Sequence, residues 1–294
     1  MKRIKIITDS NSGLKQEEGE QLDVFVIPMP FFIDGKEYLE EISLSQEEFY
    51  PLLAKGVNIS TSQPSAFYLT ELFKKTLQEY DEIIYIPMSS GLSGTCANAK
   101  VIAEQFDGRV HVVDNHRISV TQKASVFEAV YLSQQGKTAQ EIEDYLLKTA
   151  YVSSIYIYLD TLEYLKKGGR ITPAAALLSS LLKIKPILTT RGDKFDKFDL
   201  CRNTIKARKL MIQQVKKDAE NDFKEYYEKG LMAVSVAHTE NYEEAESFKK
   251  EIQEALPKLK FHFVDPLSLS VSCHIGPGAL AIALAVDIRE KKDD

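Results

Sequence analysis

Short β-rich runs alternate with helical segments through the first half of the chain, and this alternation limits the fold more than any other feature. RIKIITDS (3–10), EIIYIPM (82–88) and RVHVVD (109–114) are the clearest strands. DVFVIPMPFFID (23–34) is a fourth, broken by Pro28 and Pro30, so it reads as an edge or a bent segment. Between the strands, PSAFYLTELFKKTLQEY (64–80) carries apolar residues at 66, 69, 72, 73, 77 and 80, which is helical spacing, with Pro64 in the first turn. TCANAKVIAEQF (95–106), SVTQKASVFEAVYLSQQ (119–135) and TAQEIEDYLLKTA (138–150) are further helices. SQEE (45–48) and Thr138 with Glu141 form capping boxes. Strands separated by helices require parallel crossovers, hence an N-terminal parallel α/β domain.

The second half follows another pattern. SIYIYL (154–159) is a strand, and DTLEYLKKGG (160–169) a short helix closed by glycines. TPAAALLSSLL (172–182) is a helix with Thr172 as N-cap and Pro173 at its first position. KPILTTRGDKFDKFDL (185–200) reads as a hairpin turning near Gly192 and Asp193. A long polar helix from Thr204 to Glu228, the strand LMAVSVAH (231–238), a helix from Asn241 and the strand KFHFVD (260–265) follow. ALAIALAV (279–286) fits a buried strand or a buried helix equally. Hairpin and crossover together give an α+β domain. The expected division is 1–150 and 151–294, in keeping with a length of 294 residues.

A net charge of −6 argues against nucleic acid. The longest uninterrupted apolar run is 279–286, far short of the roughly 20 residues of a membrane span, and the N-terminus has no signal-peptide core. Cys96, Cys201 and Cys273 are widely spaced without a CxxC pair, so they read as reduced thiols of a cytoplasmic protein. His111 and His116 flank VVDN without metal-ligand spacing, and no metal is expected.

The loop SSGLSGT (89–95) joins a strand to a helix. A phosphate loop needs a lysine after its last glycine; Thr95 follows Gly94 instead. A nucleophile elbow needs a glycine where Thr95 stands. An esterase using Ser93 and His274, with Asp114 as the acid, is therefore the minority enzyme reading. The third reading is an anion grip, with helix amides and the Ser93 and Thr95 hydroxyls as donors. Read alone, Ser93 is better explained as a helix cap. STSQPS (60–65) is a second hydroxyl cluster at a helix start. Strand carboxyl ends gather ligand loops on one edge, which places Thr61 opposite Ser93. Ser62 reads as a cap or as part of the supporting loop with Gly94 and Thr95. A buried carboxylate needs several donors to replace its water.

Taken together, TDS (8–10), TSQPS (61–65), SSGLSGT (89–95), DTLEYLKKGGRI (160–171), KIKPIL (183–188) and HIGPGALA (274–281) resemble the DegV family of bacterial fatty-acid-binding proteins, which includes the FakB subunits of fatty acid kinase. The resemblance implies two domains, parallel α/β then α+β, with an acyl chain enclosed between or within them. It implies that Thr61 and Ser93 hold the fatty-acid carboxylate, that His274 joins them, and that Arg170 sits near the carboxyl end or the partner surface. A FakB-type member presents its acid to a separate ATP-dependent acyl kinase and binds no cofactor itself. The chain departs from the family in the charged segment LTTRGDKFDKFDLCRN (188–203) and in YLEEIS (38–43), which lacks the usual Asp-Gly turn. Both read as surface differences.

The remaining residues agree with a carrier. Ala174, Ala175 and Ala176 offer space beside leucines for an acyl chain, or simply close helix packing. Lys166, Lys167, Arg170, Lys183, Lys185, Arg202, Lys206 and Arg208 give the second domain a basic side. That side is either a solvated face or a docking surface, with Arg202, Lys167 and Arg208 as the contacts to a kinase or, transiently, to anionic lipid. Two alternatives stand beside the carrier: the esterase, and a small-acid sensor without a kinase partner.

Overall fold

The computed structural model describes residues 2–180 and 185–289. Lys183 and the end of the segment 172–182 lie outside that range. The chain divides into two units, Met1–Tyr151 with Ser268–Ser270, and Val152–Leu267 with Val271–Asp294. The second unit is therefore not one unbroken stretch from 151: three residues far along the chain group with the first.

The first unit holds β1 (Ile4–Asp9), α1 (Gln16–Gln21), β2 (Val24–Ile27), β3 (Pro30–Ile33), β4 (Lys36–Leu39), α2 (Gln46–Ala54), β5 (Ile59–Thr61), α3 (Ala66–Thr76), β6 (Glu82–Ile86), α4 (Thr95–Ala103), β7 (Val110–Val112), α5 (Ser119–Gln134) and α6 (Ala139–Lys148). Its main sheet has the order β2-β1-β6-β7 with every pair parallel. β1 and β6 are buried on both faces, as expected of strands covered by helices on each side. Val24, Val26, Ile84 and Ile86 pack under α5 and α6, while Ile7, Ile83 and Tyr85 pack under α3 and α4. β2 is the edge strand, and its Phe25 is exposed between buried neighbours. A three-stranded antiparallel sheet, β4-β3-β5, completes the unit. Pro28 thus falls in the bend between two sheets.

Ser45 and Thr138 cap α2 and α6 with full capping boxes. The start of α3 differs from expectation. Ser65 is its N-cap, accepting from the Tyr68 amide, so Pro64 precedes the helix and Ser62 caps nothing.

The second unit holds β8 (Ser153–Tyr158), α7 (Glu163–Gly168), α8 (Pro173–Ala176), β9 (Lys185–Thr190), β10 (Asp196–Cys201), α9 (Thr204–Lys217), α10 (Lys224–Glu228), β11 (Met232–His238), α11 (Tyr242–Ala255), β12 (Lys260–Pro266), α12 (Leu269–Ile275), whose first two residues group with the first unit, and β13 (Leu280–Val286). Its sheet order is β10-β9-β8-β13-β11-β12, with only β11 and β12 parallel. ALAIALAV is a strand: Leu280, Ile282, Leu284 and Val286 enter the main core, while Ala281, Ala283 and Ala285 are buried on the other face. Thr172 caps α8 as expected, but α8 is one turn long and continues as a 3₁₀ turn over Leu177–Ser180. Ala175 is buried and Ala174 is exposed.

The long polar helix is interrupted by a π-helical segment at Asp218–Asp222. The buried Asp218 carboxylate accepts from Ser154 Oγ and Tyr156 Oη at 2.7 Å each and from Gln214 Nε2 at 2.8 Å. Three donors satisfy a charge that would otherwise be costly to bury, and they fix the irregular turn in place.

Candidate head-group site

The parallel sheet places TDS, SSGLSGT and the 113–118 loop at the carboxyl ends of the adjacent strands β1, β6 and β7, the edge where such sheets bind ligands. Hydrogen bonds stitch these loops together. The fully buried Asp9 carboxylate accepts from the Met88 amide at 2.9 Å, Gln122 Nε2 at 3.0 Å and Asn11 Nδ2 at 3.0 Å. Burial raises its pKa, against the lowering by these bonds. The Ser89 amide donates to Arg117 O and the Ser90 amide to Asp114 Oδ1.

Ser93 is half-buried at the end of this loop. Its Oγ accepts from the Thr95 amide at 3.2 Å and shares a 2.9 Å hydrogen bond with Thr95 Oγ1. Gly94, not Ser93, is the N-cap of α4 and brings no side chain to it. A Cβ on Gly94 would stand 3.3 Å from Gln63 Oε1, so the SSGLSGT and TSQPS loops meet. Thr61, also half-buried, pairs with Phe31 across the small sheet, and Phe31 pairs with Tyr38. Directly paired residues share a face, so Thr61 stands on the side of the buried Phe31, which packs edge-on against Phe49 at 6.2 Å. The opposite face, with Pro30, Phe32, Glu37 and Leu39, lines a 660 Å³ cavity together with Ser62, Gln63 and Tyr68.

His274 and Arg170 belong to the second unit, and there they are brought together. The His274 ring lies against Gly168, whose carbonyl accepts from Arg170 Nη1. Burial, and then the Arg170 guanidinium, push the imidazole down to about 4, so it is neutral near pH 7. Asp114, the acid of the esterase reading, is committed to the Ser90 amide and lies 3.9 Å from His116. His111 pairs with Glu143 at 2.7 Å.

Two expectations are corrected. Arg208 is 9% exposed and bridges Glu244 at 2.5 Å and Glu251 at 3.0 Å, so it ties α9 to α11 and offers no docking charge; Arg202 and Lys167 are exposed. YLEEIS is only in part a surface variation: Glu41, Ile42 and Ser43 are exposed, but Glu40 is 2% exposed. Its carboxylate accepts from Ser10 Oγ at 2.7 Å, Ser270 Oγ at 3.1 Å and the Leu269 amide. Burial pushes it up to about 7 despite these donors. A charged residue at an expected turn carries no sign of burial; only the distant serines, Ser10 and Ser270, hint at it.

The DegV family model, described as "Uncharacterised protein, DegV family", matches residues 3–287, and the chain belongs to that family. A DegV domain-containing protein of Listeria innocua is 31% identical over 97% of this chain and 99% of its own. Among solved structures, DegV of Bacillus subtilis, described as a fatty acid binding protein, superposes with a TM-score of 0.85 at 29% identity, covering 98% of this chain and all of that one. A Thermus thermophilus DegV family protein, described for its fatty acid binding, gives 0.87 at 26% identity, covering 97% and 99%. Among the described residues no helix is long and apolar enough to cross a membrane.

Proposed function

We propose that this protein binds a long-chain fatty acid and presents its carboxylate to a separate acyl kinase. The observation that carries the reading is the meeting of the SSGLSGT and TSQPS loops at the carboxyl edge of the parallel sheet. It is supported by near full-length likeness to two proteins described as binding fatty acids. Ser93 and Thr61 serve as hydroxyl donors to the carboxylate, and Ser62, Gly94 and Thr95 shape the loops around them. His274 and Arg170 supply a neutral imidazole and a cation for the same head group. The acyl chain follows the apolar side of the small sheet, where Phe31 and Phe49 stand. Each buried CH₂ then contributes about 0.8 kcal/mol.

The carrier needs no cofactor besides its acid and acts in the cytoplasm, touching membrane transiently to collect or deliver it. Exposed Arg202 and Lys167 dock the kinase. Native mass spectrometry of protein purified from cells tests the core of this: a co-purifying fatty acid is expected. Protein that emerges empty and takes up neither oleate nor palmitate refutes it. Ser93→Ala and Thr61→Ala each remove a hydrogen bond to a charged group, worth about 1.5–3 kcal/mol, so affinity falls by roughly 10- to 150-fold. Ester turnover that is lost in Ser93→Ala would establish the esterase instead.

A further inference from the structure

We propose that Gly168 is a positioning residue for the head group, setting the His274 ring and the Arg170 guanidinium through its bare Cα and its carbonyl. The inference rests on the carboxylate reading above. Two distant segments of the second unit run against each other in opposite directions. Asp160, Tyr164 and Gly168, four residues apart on and before α7, meet Gly278, Gly276 and His274 in that order. A Cβ on Gly278 would lie 2.9 Å from Asp160 Oδ2, and one on Gly276 would overlap the Tyr164 ring. A Cβ on Gly168 would overlap His274 Nδ1 and stand 3.0 Å from Cε1 and 3.1 Å from Cγ.

The three glycines are not equivalent. Gly276 and Gly278 have φ of +83° and +78°, a conformation that favours glycine whatever surrounds it. Gly168 ends a helix without a positive φ, and in a helix glycine costs about 1 kcal/mol relative to alanine. Backbone conformation therefore gives no reason for glycine at 168; the imidazole does. The ring occupies the space of a methyl group, which fixes how far His274 lies from α7. The far side of the HIGPG turn is held as well. Thr239 Oγ1 donates to Gly276 O at 2.6 Å, and the Gly278 amide donates to Thr239 O at 2.8 Å. The ring is thus set between a pinned turn and a bare helix end. Two residues on from Gly168, Arg170 folds back onto its carbonyl.

The test is a mutant cycle with oleate as the probe. Gly168→Ala is expected to weaken oleate binding at least tenfold, by as much as His274→Ala. The double variant is expected to bind no more weakly than His274→Ala alone, because the methyl then meets no ring. In Gly168→Ala the His274 imidazole, followed by NMR, titrates closer to its ordinary range. A general packing fault would not be relieved by removing the imidazole. If Gly168→Ala folds poorly, its melting temperature recovers in the double variant; a melting temperature that stays low overturns the proposal. Wild-type oleate affinity and an unmoved His274 titration in Gly168→Ala also overturn it. Should His274→Ala bind oleate normally, the head-group reading fails, and Gly168 is then judged by the His274 titration alone.

Discussion

Replacing Glu40 with glutamine should make the protein more stable at alkaline pH and leave it nearly unchanged in acid. The Glu40 carboxyl is buried and its pKa is raised from 4.5 to about 7 in the folded chain, chiefly by burial. Between those values the native state holds a proton that the unfolded state has released. Stability therefore falls as pH rises from 4.5 to 7 and is level above that. At about 1.36 kcal/mol per pH unit, the full effect is about 3 kcal/mol. Glutamine has the shape of the protonated acid. Its carbonyl can still accept from the Leu269 amide, and its amide can donate to the Ser10 and Ser270 hydroxyls, which rotate to suit. Urea unfolding of both proteins at pH 4.5, 6, 7 and 8 checks this. The difference between them should grow from near zero to about 3 kcal/mol in favour of Glu40→Gln. Taking the difference matters because His274 acts in the opposite sense. Its lowered pKa makes stability fall as pH drops from 6.5 toward 4 in both proteins. A constant difference, or a variant weaker than the parent at pH 8, refutes the account of Glu40 as a strained buried charge.

Asp218→Ala leaves the hydroxyls of Ser154 and Tyr156 without their acceptor and should cost about 2–4 kcal/mol by urea unfolding. Arg208→Ala should lower stability by about 1–2 kcal/mol and, on the proposed carrier role, leave coupling of the bound acid to an acyl kinase intact, as measured by acyl-phosphate formation with a candidate kinase. Arg202→Glu should do the reverse, impairing that coupling while oleate affinity stays at the wild-type value.

Period and punctuation made most of the fold legible. The central strands of the parallel sheet, β1 and β6, are doubly buried runs, and α2 and α6 of the same unit carry strong caps at Ser45 and Thr138. Errors fell where a distant residue decides a local structure. Asp218 interrupts a helix that is unbroken by pattern, because its donors come from β8 and from one turn earlier in α9. Arg208 looks like one cation among many until Glu244 and Glu251 arrive from α11. Glu40 reads as a turn residue, and only the folded chain brings Ser10 and Ser270 to it. Within the candidate site, helix-start chemistry identified the Ser93 loop and its neighbour TSQPS. The part played by Gly168 was hidden, because glycine at a helix end has an ordinary explanation that needs no imidazole.

The position of β13 bears on how the chain is made. It follows β8 to β12 in sequence, yet it lies between β8 and β11 and pairs with both. On the ribosome, β8 to β10 emerge as one antiparallel ribbon and β11 with β12 as another, and neither has its central neighbour. The four apolar side chains that β13 gives the core, Leu280, Ile282, Leu284 and Val286, arrive only after β8 to β12 have emerged. Assembly of the second unit is therefore held back until β13 has followed β8 to β12 off the ribosome, whereas β1, β2, β6 and β7 can close their sheet long before. A stall before residue 280 would release a chain with a finished first half and two open sheet edges, which is the form a quality-control protease or a chaperone would meet.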